Sequence, residues 1–542
     1  MRWFQKAVTQ NILTLLMIIG LALTANINAA SQQDFQLLEA DIHTIQTAFE
    51  NGTLSSESLT EAYLKRINAY DKKQPAINSF IKLNPDAVKQ ARALDKERAL
   101  KGSRGLLHGI PFVIKDNYDT KDLPTTGGSV ALRNNHPEKD AFVVQHLRDA
   151  GAVILGKTNL SELALSYGRL GYSSVGGLTL NPYNLKRNAS GSSSGSAAAV
   201  AANFGVIGTG TDTAGSIRGP ASVTGLVGVK PTLGLTSRSG VIPASLSHDV
   251  TGPLARTVTD AAIALTIMAG VDKNDPRTLE SMEWQVSDYT RFLNKDALKG
   301  TRIGIARDEK GGNPEVDAAM ERAIAKLREL GAKTVDVTYH KPLRDAWSEM
   351  MGTIIDTEFR DQFEAYLQTT SKDVPKELEG VIQISESDKV KNSASPVNPG
   401  RIEGYKTALQ SKGLASLDFI YIISNKVPAS RNYLRKIYED NELDAIVFPT
   451  MLCPASNRYD KEDPDYICNV PDPYASCYVG SVTGFPEVTL PMGWTKHGLP
   501  MGLSFFGLPY SESRLLALAY AYEQATHFRK PPASTPALDS GK

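Results

Sequence analysis

Three residues of types suited to acyl chemistry stand in contexts able to hold them. Lys115 sits in GIPFVIKDN (109–117), an apolar run that predicts a buried strand. Ser192 lies in SGSSSGSAAAVAAN (190–203), at the mouth of an alanine-rich segment, and Ser216 lies in the glycine-flanked TDTAGSIR (211–218). A serine hydroxyl becomes a nucleophile when a base takes its proton. A lysine is such a base once it is uncharged. A rival lies in the same stretch, because Gly191-x-Ser193-x-Gly195 fits the G-x-S-x-G pattern of a hydrolase nucleophile elbow. That motif needs a strand immediately before Ser193 and a histidine later in the chain. The preceding NPYNLKRNAS (181–190) is polar, contains Pro182 and predicts a loop, while His248, His340, His497 and His527 sit in no telling context. The elbow fit is therefore read as accidental.

The elements that must position these residues alternate along the chain. Helical spacing covers 39–52 and 55–73, with Ser58-x-x-Glu61 as a capping box, and 85–102 follows a strand at 77–83. A helix at 141–152 runs into a strand at 153–156. The segment GSAAAVAAN (195–203) predicts a short helix of the smallest side chains, able to pack close to neighbouring backbone. Glycine-punctuated short strands follow over 223–236. Residues 302–306, 314–332 and 333–339 form a β–α–β signal. Residues 341–440 are polar and mostly helical, with a loop at 393–401. Strands return at 444–451, 487–493 and 499–507, and a helix closes the chain at 512–527. No charged linker or repeat interrupts this order. The pattern predicts an α/β fold: one large α/β/α domain, residues 30–542, with a mixed β-sheet covered by helices. The polar stretch 341–440 and the loop 452–473 are the expected cover over a substrate.

Composition excludes several functions. Lys+Arg and Asp+Glu both number 59 in 542 residues, so the chain lacks the positive field of a nucleic-acid binder. The eight histidines form no H-x-H, H-E-x-x-H or Cys/His cluster, and there is no P-loop or G-x-G-x-x-G after a strand. No metal and no cofactor are expected. Arg2 and Lys6 precede the apolar ILTLLMIIGLALTA (12–25), with small residues at Ala29 and Ala30. This describes a signal peptide over 1–29 whose 14-residue apolar run is shorter than the ~20 residues of a membrane span, so the mature protein is expected to be exported, periplasmic or secreted. Cys453, Cys468 and Cys477 fall within 25 residues; two of them can pair, or all three can be ordinary small residues.

The sequence GSSSGSAAAVAAN…GTDTAGSIRGPAS (191–222) resembles the defining segment of the amidase signature family. GIPFVIKDN, GKTNLSELALS (156–166), GLVGVKPTLGLTSRSGVIP (225–243) and GFPEVTLPMG…GLPMGLSFFG (484–507) match it as well, so the likeness spans about 35 to 530. The GSSSGS form, LNPDA and AYAYEQ are most similar to bacterial peptide amidases. The resemblance implies a Ser-Ser-Lys triad. Ser216 is the nucleophile that forms an acyl-enzyme, Ser192 relays its proton, and Lys115 takes it, a variant of triad logic. The backbone N–H groups of Thr213, Ala214, Gly215 and Ser216 form the oxyanion hole.

A neutral Lys115 is the physical requirement. Lowering an amine from ~10.4 to ~7–8 takes roughly 4 kcal/mol of preference for the neutral form, which burial supplies. Asp116 would oppose that shift, but alternation along a strand turns it to the other face. Two positions depart from the family: Ala214 and Ser194 stand where glycine is frequent, and a positive φ at Ala214 would cost about 1 kcal/mol.

The expected function is hydrolysis of a carboxamide C–N bond in a small-molecule or peptide amide, with C-terminally amidated peptides suggested by the nearest likeness. Aryl acylamides and fatty amides are the alternatives within the enzyme class. A transamidation subunit resembling that of glutamyl-tRNA amidotransferase is a different class, as is a binding protein on an inactive scaffold.

Overall fold

The computed structural model describes residues 35–538; the expected signal peptide lies outside them. Eleven strands form the central sheet and are numbered here in chain order: β1 Phe80–Leu83, β2 Pro111–Lys115, β3 Val153–Thr158, β4 Ile207–Asp212, β5 Val227–Lys230, β6 Val250–Ala255, β7 Arg302–Ala306, β8 Lys333–Val337, β9 Ala445–Pro449, β10 Glu487–Trp494 and β11 Pro500–Phe506. Their spatial order is β1-β3-β2-β4-β6-β5-β10-β11-β9-β7-β8. β2 runs parallel to β3 and β4, and β7 parallel to β8 and β9, while the other neighbours are antiparallel. The mixed sheet expected from alternation is present, with helices packed on it.

The inner strands explain why Lys115 is closed to solvent. Every residue of β2, β3, β4, β5 and β6 is buried, as expected for strands covered on both faces. The alanine-rich helix, Ser194–Ala201, is buried along its whole length and packs on β2 and β4. Gly195 shows how close that packing is, because a Cβ there would run into Asn159 O and lie 2.5 Å from Ser79 O. A larger residue would push the helix, and the serines at its mouth, away from the sheet.

Two local expectations change. The capping box is Ser55 with Ser58, not Ser58 with Glu61: Ser55 Oγ accepts from Ser58 N at 3.1 Å and Ser58 Oγ accepts from Ser55 N at 3.0 Å. The helix begins at Ser56, where Asp95 accepts the N–H groups of Ser56 and Glu57 and suits the positive helix start. Residues 181–190, expected to be loop, hold part of a short antiparallel ribbon, Leu180–Asn181 against Asn184–Asn188. Asn181 Oδ1 makes its turn by accepting from Tyr183 N at 2.9 Å.

Of the three cysteines, Cys453 and Cys468 are disulfide-bonded and Cys477 is free and buried. No helix among the described residues is long and apolar enough to cross a membrane. No group of three or more His, Cys, Asp or Glu among them is placed to hold a metal ion.

Candidate active site

β2 delivers Lys115 into a wholly buried polar nest. Its Nζ lies 2.8 Å from Ser192 Oγ, 3.0 Å from Ser193 Oγ and 2.7 Å from Thr211 Oγ1. Burial pushes its pKa down to about 7, against the opposing pull of the Asp212 and Asp249 carboxylates. Asp116 takes the other face as alternation requires, and pairs with Lys157 Nζ at 3.0 Å. Its second oxygen accepts from Thr126 N at 3.1 Å. Lys157 and Lys230 are as buried as Lys115 but serve different partners. Lys157 faces that carboxylate, and Lys230 donates to Phe485 O at 2.8 Å. Among the described lysines, Lys115 is the one held in a nest of serine and threonine hydroxyls.

Ser192 and Ser193 stand just before the alanine helix, which starts at Ser194. Both are buried, so Ser193 presents no hydroxyl to an open cleft. Its Oγ instead donates to Thr211 O and accepts from Thr211 N, each at 3.3 Å. No histidine among the described residues bonds either serine. His248 is buried, held near pKa 3 by desolvation, and contacts Ser245.

Ser216 follows β4 in the turn at 213–216. Its carbonyl accepts from Ser193 N at 3.2 Å, which ties the turn to the start of the alanine helix. Ser216 lines a cavity of about 310 Å³ together with Gly191, Thr213, Ala214 and Tyr474.

The N–H groups of Thr213, Ala214 and Ser216 have no intramolecular partner among the described residues. Gly215, expected as a fourth oxyanion donor, is different: it gives its N–H to Asp212 Oδ1 at 2.8 Å. Its part is conformational, with φ at 103° and room for no Cβ, which would lie 2.9 Å from Tyr474 Cδ1 and 3.0 Å from Cys477 Cβ. Ala214 therefore escapes the feared strain, since the positive φ falls one residue later.

Three features around the turn were missed in the sequence. Arg218 forks onto Asp212 at 2.8 and 3.0 Å and reaches Glu487 at 2.6 Å, all wholly buried. Burial alone would raise Asp212, but the Arg218 guanidinium holds it far below the usual carboxylate range. Asp249 accepts from Thr213 Oγ1 at 2.5 Å and from Ala244 N and Ser245 N, fixing the other side of the turn. Tyr474 OH accepts from Gly191 N at 3.2 Å, donates to Gly191 O at 3.1 Å and bonds Ser190 Oγ. The string TDTAGSIR already contains Asp212 and Arg218. Nothing in sequence joins Tyr474 to Gly191, 283 positions away.

The cover is drawn partly from where polarity pointed. Trp347, Gly352, Ile355 and Asp356 come from the 341–440 stretch, while Tyr474 and Tyr478 lie just past the 452–473 loop.

A buried amine facing serine hydroxyls, under a mixed sheet of this order, defines an amidase-signature hydrolase, and the chain belongs to that family: the Amidase family model matches residues 58–516. The solved structure of native peptide amidase from Stenotrophomonas maltophilia is similar at 39% identity and a TM-score of 0.83, covering 92% of this chain and 99% of that one. A probable amidase of Arabidopsis thaliana is 37% identical over 536 residues, 96% of this chain and 97% of its own. A glutamyl-tRNA(Gln) amidotransferase subunit from Gloeothece citriformis is 35% identical over 482 residues, 88% of this chain and 96% of its own.

Proposed function

We propose that this amidase hydrolyses the terminal carboxamide of amidated peptides or amino acids through Ser216, Ser192 and Lys115. The observation that carries the reading is the contact of Lys115 Nζ with Ser192 Oγ at 2.8 Å inside a wholly buried nest. An amine with pKa about 7 is half neutral at neutral pH, so it can accept a proton there. Ser192 passes it the Ser216 proton as Ser216 Oγ attacks the carboxamide carbon. The N–H groups of Thr213, Ala214 and Ser216 receive the developing oxyanion, each such donor being worth about 3 kcal/mol when aimed at that charge. The proton then returns through Ser192 to the leaving nitrogen and ammonia departs. Water hydrolyses the acyl-Ser216 ester by the same relay, leaving a free carboxylic acid.

The peptide amidase likeness supports the substrate class over aryl or fatty amides. The amidotransferase subunits share the family too, and an exported chain would be parted from the tRNA that their name specifies. Export is itself part of the proposal, supported by the basic-then-apolar start of the sequence and by the Cys453–Cys468 bond, which suits an oxidising compartment.

The test is to incubate purified protein with a C-terminal peptide amide, an anilide and a long-chain fatty amide, following ammonia or amine and the acid by mass spectrometry. Conversion of the peptide amide to the free acid, with ammonia released in equal amount, is the expected result. Turnover confined to the anilide or fatty amide removes the substrate assignment.

A further inference from the structure

The cavity over Ser216 is walled by aromatic and apolar groups apart from a few hydroxyls and a single charged side chain, Asp356. Asp356 lies on the helix Gly352–Thr369 and is half-buried. No hydrogen bond or ion pair engages its carboxylate among the described residues; its one charged neighbour of note is Arg401. Arg401 does not line the cavity. It is 1% exposed, and its guanidinium packs over Tyr405 at 4.3 Å, Phe359 at 4.6 Å and Tyr167 at 5.3 Å, with no hydrogen-bond partner for any of its nitrogens. Arg401 thus packs against Tyr167, one of the lining rings, without lining the cavity itself, whereas Asp356 lines it. Trp347 and Tyr478 pack with ring centroids 5.3 Å apart, and Tyr474 completes the aromatic lining.

Ring faces are negative and attract cations, most strongly where water is partly excluded. An unpaired carboxylate in the same wall adds to that attraction and repels an anion. A neutral occupant satisfies neither. We propose that Asp356 is a specificity-determining residue: on the amide-hydrolase reading above, it accepts an ammonium or guanidinium carried by the acyl part of the substrate. The favoured substrates are then amides of basic residues, arginine or lysine amides, or carboxamides bearing an amine at comparable reach.

The test compares N-acetyl-arginine amide with N-acetyl-citrulline amide, which keeps the shape and loses the charge, and with N-acetyl-glutamate amide. The expected kcat/KM for arginine exceeds that for citrulline by about tenfold or more, mainly through KM, with glutamate lowest. In Asp356→Asn and Asp356→Ser, checked for folding by circular dichroism and Tm, the arginine-to-citrulline ratio falls to about 2 or less, while Asp356→Glu retains a preference. A wild-type ratio near one, or a ratio that neither neutral variant moves, overturns the assignment. Should none of the three amides release ammonia, the hydrolase reading is what fails, and the pocket is judged by binding alone. Ser216→Ala protein is then titrated with the same three compounds by tryptophan fluorescence. Tighter binding of the arginine amide upholds the role of Asp356, and equal binding ends it.

Discussion

Lys115 Nζ and Ser192 Oγ lie 2.8 Å apart with both residues closed to solvent, while the next residue, Asp116, is turned away and paired with Lys157 at 3.0 Å. The alternation of one strand thus keeps a carboxylate off the amine. Had Asp116 shared the nest, its charge would have held Lys115 protonated and useless as a base. Asp212, the carboxylate that pulls most on Lys115, is instead occupied by Arg218.

The pH profile follows from that isolation. Lys115 titrates near 7, and in the proposed relay it serves as a base only when neutral. Below that value kcat/KM is expected to fall about tenfold per pH unit, and above it to level off. A profile flat from pH 5 to 9 would contradict a lysine base.

Lys115 also weakens the fold, with a definite sign. Its pKa is lower folded than unfolded, so between about 7 and 10.5 the unfolded chain binds more protons and stability rises with pH. Below pH 7 burying the amine costs roughly 4–5 kcal/mol. Lys115→Met removes this term. The variant's stability relative to wild type is expected to be most favourable at pH 6 and to decline by pH 10, measured by urea denaturation. The hydroxyls it leaves unpaired add a cost that does not change with pH. A difference constant across that range would contradict the shifted amine.

Single substitutions separate the serines. Ser216→Ala is expected to lose activity by at least about 10⁴-fold, with Ser192→Ala and Lys115→Ala crippled as members of one unit. Ser193→Ala loses two bonds with Thr211 and one from Lys115, and should be milder. Steady-state ammonia release measures all four. A Ser193→Ala defect as deep as that of Ser216→Ala would restore the elbow reading.

Breaking the pair under the turn should cost stability. Arg218→Met leaves Asp212 and Glu487 buried without their cation, for which about 3–5 kcal/mol is the usual loss. Chemical denaturation checks this, and a change below about 1 kcal/mol would show the network to be dispensable.

The chain's alternating pattern made the sheet and most helices legible, because buried strands such as PFVIK and amphipathic helices such as Pro314–Glu329 carry their period locally. The proposed triad of Lys115, Ser192 and Ser216 is read from the long motifs around these residues, and the fold brings Lys115 and Ser192 into contact. What the sequence does not reveal depends on distance along the chain. Tyr474 reaches back to Gly191, Glu487 to Arg218, and Trp347 and Asp356 are delivered by helices whose sequence carries no chemical signature. Gly215 departs from the expected donor role for a local reason. Its N–H has a carboxylate three residues upstream, and a backbone donor pattern alone does not reveal which partner wins.

Which oxygen becomes acylated, and what controls it, decides the mechanism. Treating the protein with a fluorophosphonate across pH 5 to 9 and mapping the adduct by peptide mass spectrometry reads both at once. The expected adduct is on Ser216 alone, with a labelling rate that climbs through about pH 7 and collapses in Lys115→Ala. An adduct on Ser193, or labelling of Ser216 that Lys115→Ala leaves unaltered, would contradict the relay.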